Sequence, residues 1–302
     1  MRETKAARPL SRVLVPVDFS KNAEHALRRA LLMPLAPRAT LSVLHVIPPG
    51  LPAKLRARAW SDADRALTEL VARVSARHAE QHVTLTPELL TGEPFVEIIR
   101  RARQLRAELI VLGRRGARSI RGMVLGTTAE RIVRKGDVPV LVVSSKPIQR
   151  YRRPLIATDL EDAAPRTFDL ALRVLGSEVP TVHVVHAYHV PFEGLVTPTL
   201  TIREVSGYRR SFHAKAKAGL ESMLAERQGT GQRWSGEVAA GDARGVILAA
   251  AARRRADLIA LGTHGRSGLA RALVGSVAEY VIHAARCDVL VSRPVRFSFA
   301  LP

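Results

Sequence analysis

The chain has 302 residues, of which 47% are apolar and 25% charged, and it carries a formal net charge of +20. This composition is typical of a globular protein of about two domains, and it excludes collagen-like and low-complexity disordered chains. The single cysteine, Cys287, excludes an intrachain disulfide and a cysteine-based metal site. No apolar run in the sequence reaches the roughly 18 residues that span a bilayer, and the N-terminal stretch lacks the apolar core of a secretory signal. We therefore expect a cytoplasmic protein with no membrane span.

The first half alternates strand and helix patterns. Its apolar, strand-like runs are, in chain order, RVLVPVD, TLSVLHVI, HVTLTPELL, ELIVL and VPVLVV. Between them, helical patterns cover 22–35, 60–79, 94–105 and 127–134. The second half repeats the strands as PLIAT, TVHVVHA, SGEVAA, DLIAL and DVLVS, and ends in VRFSFALP, a short extra strand or an exchanged contact. Strict alternation with uninterrupted apolar strands predicts an α/β fold, with a five-stranded parallel sheet covered by helices on both faces in each half.

The two halves are copies of one another. The segments ELIVLGRRGARSIRGMVLGTTAERIV and DLIALGTHGRSGLARALVGSVAEYVI align without a gap, 149 residues apart. Upstream, VPVDFS pairs with IATDLE and LHVI with VHAY at an offset of 141, so the second half carries an eight-residue insertion near 190–205. A period this long indicates two whole domains in tandem rather than a solenoid. The polar and basic junction at 144–154 predicts domains at 1–147 and 148–302.

The excess of 47 Lys and Arg over 27 Asp and Glu attracts polyanions, among them nucleotides, nucleic acid and anionic lipid. An arginine-rich solvated surface produces the same excess without any binding site. Aromatic residues form only 4% of the chain, which leaves few platforms on which single-stranded bases could stack. Nucleic-acid binding is therefore an alternative that the sequence does not favour.

Each half carries the same glycine pattern after its fourth strand. The pattern is Gly113-x2-Gly116-x9-Gly126-Thr127 in the first half and Gly262-x2-Gly265-x9-Gly275-Ser276 in the second. Glycine lets the backbone turn sharply and approach a ligand closely. Thr127-x-x-Glu130 and Ser276-x-x-Glu279 have the form of a capping box, which predicts a helix start whose free N–H groups favour an anion. A loop that only turns the chain is the alternative, and the repeated spacing argues against it.

The pattern is neither a P-loop nor a dinucleotide fingerprint, and it resembles the G-2x-G-9x-G-(S/T) motif of ATP-binding members of the universal stress protein family. The resemblance covers nearly the whole chain as two tandem copies. It implies two Rossmann-like, doubly wound domains of strand order 3-2-1-4-5. It also implies adenosine contacts by an aspartate, a backbone contact to adenine from the second strand, and phosphate and ribose contacts by the glycine loop. By position these nucleotide contacts fall on Asp18, Val46, Gly113, Gly116, Gly126, Thr127 and Thr128, and on Asp159, Ala187, Gly262, Gly265, Gly275, Ser276 and Val277. We add Arg114 to the first set, because a positive charge beside a phosphate loop strengthens anion binding. The alternative is that Arg114 points outward as a solvated charge.

The two aspartates lie where a doubly wound sheet binds its ligands. Asp18 and Asp159 end the first strand of each half, and the glycine loops follow the fourth strand. In the order 3-2-1-4-5, strands 1 and 4 flank the point where strand order reverses, and ligands bind there at the carboxyl ends of the strands. A carboxylate at this place can accept hydrogen bonds from ribose hydroxyls. The alternative is a helix N-cap, because Asp18 and Ser20 precede a helical pattern.

The two sites differ in charge. The first half carries Arg114 and Arg115 between its first two glycines, where the second half carries Thr263 and His264. The second half also has two further acidic residues shortly after Asp159. We therefore expect the first site to bind an anionic nucleotide more tightly, although the glycine loop of the second half is closer to the family pattern.

These observations and the resemblance predict a cytoplasmic stress-response protein. It would bind ATP or another adenine nucleotide in each half, with or without Mg²⁺, and act as a nucleotide-dependent sensor or regulator. No pattern supplies a general base or an acidic Mg²⁺ site, so we assign no catalytic residue and no metal ligand. Slow ATP hydrolysis or self-phosphorylation on Thr127 or Ser276 is the enzymatic alternative. The apolar fifth strands VPVLVV and DVLVS predict intramolecular pairing of the halves, and a homodimer of the whole chain stays open.

Overall fold

The computed structural model describes residues 8–77, 82–116, 125–161, 164–176, 178–191, 201–229, 231–263 and 275–293. Over these residues the strands are β1 (Leu10–Pro16), β2 (Leu35–Ile47), β3 (Thr84–Thr91), β4 (Leu109–Gly113), β5 (Val140–Val143), β6 (Pro154–Thr158), β7 (Thr181–Tyr188), β8 (Arg233–Ala240), β9 (Leu258–Gly262) and β10 (Asp288–Ser292). The helices are α1 (Lys21–Leu32), α2 (Ala53–Arg77), α3 (Pro94–Gln104), α4 (Thr127–Lys135), α5 (Ala164–Leu175), α6 (Ile202–Ala225), α7 (Ala243–Arg253) and α8 (Ser276–Ala284). The C-terminal run VRFSFALP and much of the second-half insertion lie outside the described residues.

The strands form one ten-stranded sheet, and its order confirms the predicted fold class. The order is β3-β2-β1-β4-β5-β10-β9-β6-β7-β8. The first half thus has the order 3-2-1-4-5, and the second half has the same order running in the opposite direction across the sheet. Neighbouring strands are parallel except β5 and β10, which are antiparallel where the halves meet. Each half is therefore a doubly wound α/β unit.

Helices cover both faces of this sheet. On β1, Val13 and Val15 belong to one apolar cluster, and Leu14 between them belongs to the other. Helices α1, α2, α5 and α6 pack in the first cluster, and α3, α4, α7 and α8 pack in the second. A strand that is buried on both faces needs an apolar side chain at every position, which explains the continuous apolar runs in the sequence. Within the described ranges, no helix is long and apolar enough to cross a bilayer.

Two elements begin earlier than the sequence pattern indicates. Strand β2 begins at Leu35 rather than near residue 40, because Leu35 pairs with Leu10 ahead of a register shift. Helix α2 begins at Ala53 rather than near residue 60. Its first turns are exposed, so they carry no apolar periodicity for a pattern to detect.

The strand register reproduces the internal repeat in three dimensions. Pro16 on β1 lies opposite Leu44 on β2, and Ala157 on β6 lies opposite Val185 on β7. The second pair follows the first by 141 residues, which is the offset read from the sequence. Positions that correspond in the repeat therefore occupy corresponding places in the two halves.

The halves meet along β5 and β10. Val140 lies opposite Val291, and Val142 lies opposite Val289. Every residue of both strands is buried. The antiparallel pairing therefore joins two parallel sheets through an apolar centre.

A buried ion pair crosses the same boundary. Asp288, which is 2% exposed, accepts a hydrogen bond from Nε of Arg29 at 3.0 Å. Its carboxylate also accepts from the Tyr151 hydroxyl at 2.7 Å and from the backbone N–H of Ser144 at 2.9 Å. Burial raises the pKa of Asp288 above its ordinary value, and the ion pair with Arg29 partly offsets that shift. Asp288 therefore links β10 of the second half to α1 of the first half and to the segment that joins the halves.

An acidic residue just before β4 fastens the start of β1. The Glu108 carboxylate accepts the backbone N–H groups of Ser11 and Arg12 at 2.7 and 3.0 Å. It also accepts from Nη2 of Arg173, on α5 of the other half, at 2.5 Å. Asp257 accepts the N–H groups just before β6 in the same way. Each half thus uses one carboxylate to close the amino end of its first strand.

Removing the carboxylate of Asp288 should strongly destabilise the fold. Asp288→Ala leaves Arg29 buried without its counter-charge, and we expect a loss of about 3–5 kcal/mol in the free energy of unfolding measured with denaturant. Asp288→Asn keeps an acceptor and should lose less. Glu221→Ala, which removes an exposed i,i+4 partner of Lys217, is the control and should change stability by less than about 0.5 kcal/mol. A wild-type midpoint for Asp288→Ala would contradict this assignment.

The stabilisation by Glu108 should disappear in acid. Burial alone would raise the pKa of Glu108, but the hydrogen bonds from Ser11, Arg173 and Arg12 lower it below the ordinary value of 4.5. A lowered folded-state pKa means that the stabilisation is present above pH 4.5 and is lost as the pH falls through the folded-state pKa. We expect Glu108→Gln to lose about 1–2 kcal/mol at pH 7, and the difference from wild type to shrink below pH 4.5. Urea titrations across this range test the prediction, and a difference independent of pH would refute it.

Candidate functional site

A cavity opens at the carboxyl ends of β6 and β9, where the strand order of the second half reverses. Its volume is about 370 Å³. The residues predicted from sequence that line it are Asp159, Ala187, Gly262, Gly275, Ser276 and Val277. Gly265 lies outside the described residues. The structure thus brings the described members of the second-half set around one space.

The third glycine of each pattern donates a backbone hydrogen bond to a residue at the start of its own loop. We call this contact the neck of the loop. The N–H of Gly275 donates to the carbonyl of Thr263 at 2.7 Å, and the N–H of Gly126 donates to the carbonyl of Arg114 at 2.8 Å. A Cβ atom on Gly275 would lie 2.6 Å from the Thr263 oxygen, which no side chain tolerates. Glycine is therefore required here by the loop itself, before any ligand is considered.

The same glycine is also the N-cap of the helix that follows. Gly126 precedes α4 and Gly275 precedes α8, and neither supplies a side-chain cap. The capping boxes predicted on Thr127 and Ser276 are wrong, because both residues lie inside the first helical turn. In the second half, residues 276–278 line the cavity. A helix start without a side-chain cap offers N–H groups and the positive end of the helix dipole to an anion.

Each aspartate sits in the same strained turn. Asp18 and Asp159 both accept, at 3.1 Å, the backbone N–H two residues further along the chain. The residue after each aspartate is left-handed, with φ of 61° at Phe19 and 64° at Leu160. Bulky residues rarely adopt this conformation, which costs about 1–3 kcal/mol. Because Ser20 rather than Asp18 caps α1, the N-cap alternative for the aspartate is excluded.

Two histidines that the sequence pattern did not assign hold these turns. His45 Nδ1 lies 2.8 Å from the carbonyl oxygen of Val17, and His186 Nδ1 lies 2.9 Å from that of Thr158. Each carbonyl belongs to the residue before the aspartate. A carbonyl only accepts, so Nδ1 carries the proton and the ring fixes the strand end. The sequence did contain a signal for these histidines, because His45 and His186 are 141 residues apart, as are the two aspartates.

The first half gathers its loop in a similar way. A Cβ atom on Gly116 would lie 2.6 Å from Oδ2 of Asp18, so this glycine packs directly against the aspartate. A Cβ atom on Gly126 would lie 3.3 Å from the backbone nitrogen of Gly116, and one on Gly113 would lie 2.6 Å from the backbone oxygen of Asn22. A side chain at position 116 would therefore strike Asp18 itself. The other predicted residues lie on flanking elements, namely Val46 on β2 and Thr127 and Thr128 at the start of α4.

The Arg114 side chain binds to the other half of the chain, contrary to the expectation that its charge lies at the first-half site. Its Nη1 donates to the carbonyl of Ala285 at 2.6 Å, and its Nη2 donates to the carbonyl of His283. These carbonyls lie at the C-terminal end of α8 in the other half, where the helix dipole favours a cation. Burial lowers the pKa of Arg114. The guanidinium therefore binds between the halves, and the charge argument for a tighter first site loses this residue.

The fold and the cavity define a class of protein: two tandem doubly wound α/β units, with a candidate cleft at the switch point of the second half and a matching aspartate turn and glycine loop in the first. The family model of the universal stress protein family matches residues 9–144 and 150–293. The chain therefore belongs to the universal stress protein family, as the glycine pattern predicted.

Related sequences agree with this membership, and a solved structure shares the fold. A universal stress protein of Mycobacterium tuberculosis is 29% identical over 229 residues, which cover 71% of each chain. Universal stress protein E of Escherichia coli is 30% identical over 193 residues, 59% of this chain and 58% of its own. A universal stress protein structure from Archaeoglobus fulgidus has a TM-score of 0.67 at 21% identity, covering 94% of this chain and 98% of its own. The structural likeness shows the shared fold.

The neck contact of the second loop makes a specific stability prediction. Gly275→Ala forces a Cβ atom against the Thr263 carbonyl, and we expect a loss of about 1–3 kcal/mol in the free energy of unfolding. The matched control is Gly207→Ala on α6, where a Cβ atom meets nothing within 4 Å and alanine should stabilise the helix by up to about 1 kcal/mol. Denaturant titrations of both variants check the pair. Equal stability of Gly275→Ala and wild type would mean that the neck is not tightly packed.

Proposed function

We propose that this chain binds ATP or another adenine nucleotide in each half and acts as a nucleotide-dependent sensor or regulator in the stress response of the cytoplasm. The observation that carries the proposal is the cavity of the second half. It combines a carboxylate, an apolar wall and an uncapped helix start at a topological switch point. The repeated turns, histidines and loop necks extend the proposal to the first half.

Each part of a nucleotide has a matching group in the cavity. Asp159 can accept hydrogen bonds from the ribose hydroxyls, because its turn holds the carboxylate at the strand end. The apolar side chains of Ala187 and Ile247 can cover a purine ring. The start of α8 can bind phosphate through its N–H groups. We assign any Mg²⁺ to the phosphates of the nucleotide, which usually supply most of its ligands together with water.

We further propose that the halves are domains at 1–147 and 148–302 that pair within one chain. The support is the β5–β10 register and the ion pair between Arg29 and Asp288. Both apolar clusters also run through the two halves without interruption. A single chain would therefore provide both clefts.

Replacing the aspartates should weaken nucleotide binding half by half. A hydrogen bond to a charged group contributes about 1.5–3 kcal/mol, so Asp159→Ala should lower the affinity of the second half for ATP about tenfold or more. Asp18→Ala should do the same in the first half, and the double variant should lose both binding phases in calorimetry.

Asp62→Ala, which removes an exposed carboxylate on α2, is the control. It should leave both binding phases unchanged, because its ion pairs are exposed and outside the cavity lining. ATP binding by a folded Asp18→Ala, Asp159→Ala double variant at wild-type affinity would refute the proposed site.

A further inference from the structure

The second-half cavity is lined by groups of two kinds. Gly262, Gly275 and the first turn of α8 offer backbone groups. Ala157, Val185 and other apolar side chains on β6, β7 and α7 form an apolar wall. An anionic group fits the backbone groups, and a flat, weakly polar ring fits the apolar wall. The apolar wall therefore decides which ring fits.

The first half has larger side chains at the corresponding strand positions. Leu44 takes the place of Val185, and Pro16 takes the place of Ala157, as the strand registers show. Two residues further along the second strand, Val46 takes the place of Ala187. Leu44 and Val46 are both buried in the apolar cluster on the α3 and α4 face. Each exchange removes carbon atoms from the second half.

The helix that lines the apolar wall also has a smaller side chain in the second half. Ala243, at the start of α7, lines the cavity where the first half has Pro94 at the start of α3. All four exchanges, three on the strands and one on the helix, therefore place a smaller side chain in the second-half wall. Two apolar positions of the wall are alike in the two halves: Ile98 corresponds to Ile247, and Leu112 corresponds to Leu261.

One lining residue is larger in the second half. Thr167 on α5 stands where the first half has Ala26. Its hydroxyl lies 2.5 Å from that of Ser292 and is buried with it. Helix α5 packs on the opposite face of the sheet from α7, so this exchange does not refill the space at the apolar wall.

We infer that the second half accepts adenine nucleotides whose ring carries an added alkyl group, and that the first half rejects them. The inference rests on the proposed function and names a ligand class for each half. One methylene in a hydrophobic pocket changes discrimination by about 10- to 200-fold. The residues that set the difference are Val185 and Ala187, against Leu44 and Val46.

The experiment compares ATP with N6-ethyl-ATP and 2-ethyl-ATP by calorimetry on the full chain. Asp18→Ala isolates the second half, and Asp159→Ala isolates the first. The quantity compared is the ratio of the Kd for each analogue to the Kd for ATP. We expect this ratio to be near one in the second half and about tenfold or more higher in the first half for at least one analogue.

Reciprocal exchanges of the wall residues test whether they set the ratio of the two Kd values. Val185→Leu with Ala187→Val should raise the second-half ratio about tenfold, and Leu44→Val with Val46→Ala should lower the first-half ratio by a similar factor. The two exchanges act on different halves, so a folding defect in one leaves the other as the test. Equal ratios in both halves, or ratios that neither exchange changes, would overturn the inference while ATP binding upholds the proposed function. If ATP and both analogues fail to bind either half, both ideas fall.

Discussion

The antiparallel pairing of β5 with β10 is the contact on which both candidate clefts depend. Each of these strands lies beside the strand that carries a glycine loop, β4 in the first half and β9 in the second. Left unpaired, each would present an apolar edge with a row of free N–H and C=O groups. The N–H of Arg114, at the entrance of the first loop, donates to the carbonyl of Val143 at the end of β5 at 2.9 Å. The central pairing and the loop geometry are therefore parts of one hydrogen-bonded framework.

Helix α8 shows how the repeat loses its symmetry. Its first turn lines the second-half cavity, while its last carbonyls accept hydrogen bonds from Arg114 of the first half. The corresponding residue in the second half is Thr263, which is 2% exposed and carries no charge. Arg134 on α4 also pairs with Glu279 on α8 at 2.5 Å. The halves thus share a backbone plan, but their contact surfaces have different chemistry.

The two halves share unusual backbone conformations at corresponding positions. Phe19 and Leu160 share no chemistry beyond being bulky and apolar, yet both adopt the left-handed conformation after an aspartate. Arg106 and Arg255, which follow α3 and α7, also share it. A left-handed residue after a helix is a common way to end it, and a left-handed residue in the aspartate turn aims a carboxylate at the cleft. The chain path therefore imposes these conformations even on residues that do not favour them.

Much of the fold could be predicted from sequence, because burial on both faces of a parallel sheet leaves a local pattern. The alternation of apolar strands with helices, the offsets of 141 and 149, and the positions of the glycines are all local or periodic features. Helix α2 was predicted too short because its exposed first turns carry no such pattern. The capping boxes were predicted wrongly because the glycine before each box already occupies the N-cap position of the helix.

The sequence by itself determined the fold class and the tandem repeat, since both depend on spacing along the chain. With the family resemblance it also predicted six of the residues that line the second-half cavity. The tertiary structure alone decided where Arg114 directs its charge, that Asp288 pairs with Arg29, and that Gly275 must be glycine for the neck of its own loop. These outcomes depend on backbone carbonyls and side chains that are distant in sequence. A side chain pairs with polar groups that lie near it in space, and the spacing of residues along the chain does not show which groups those are.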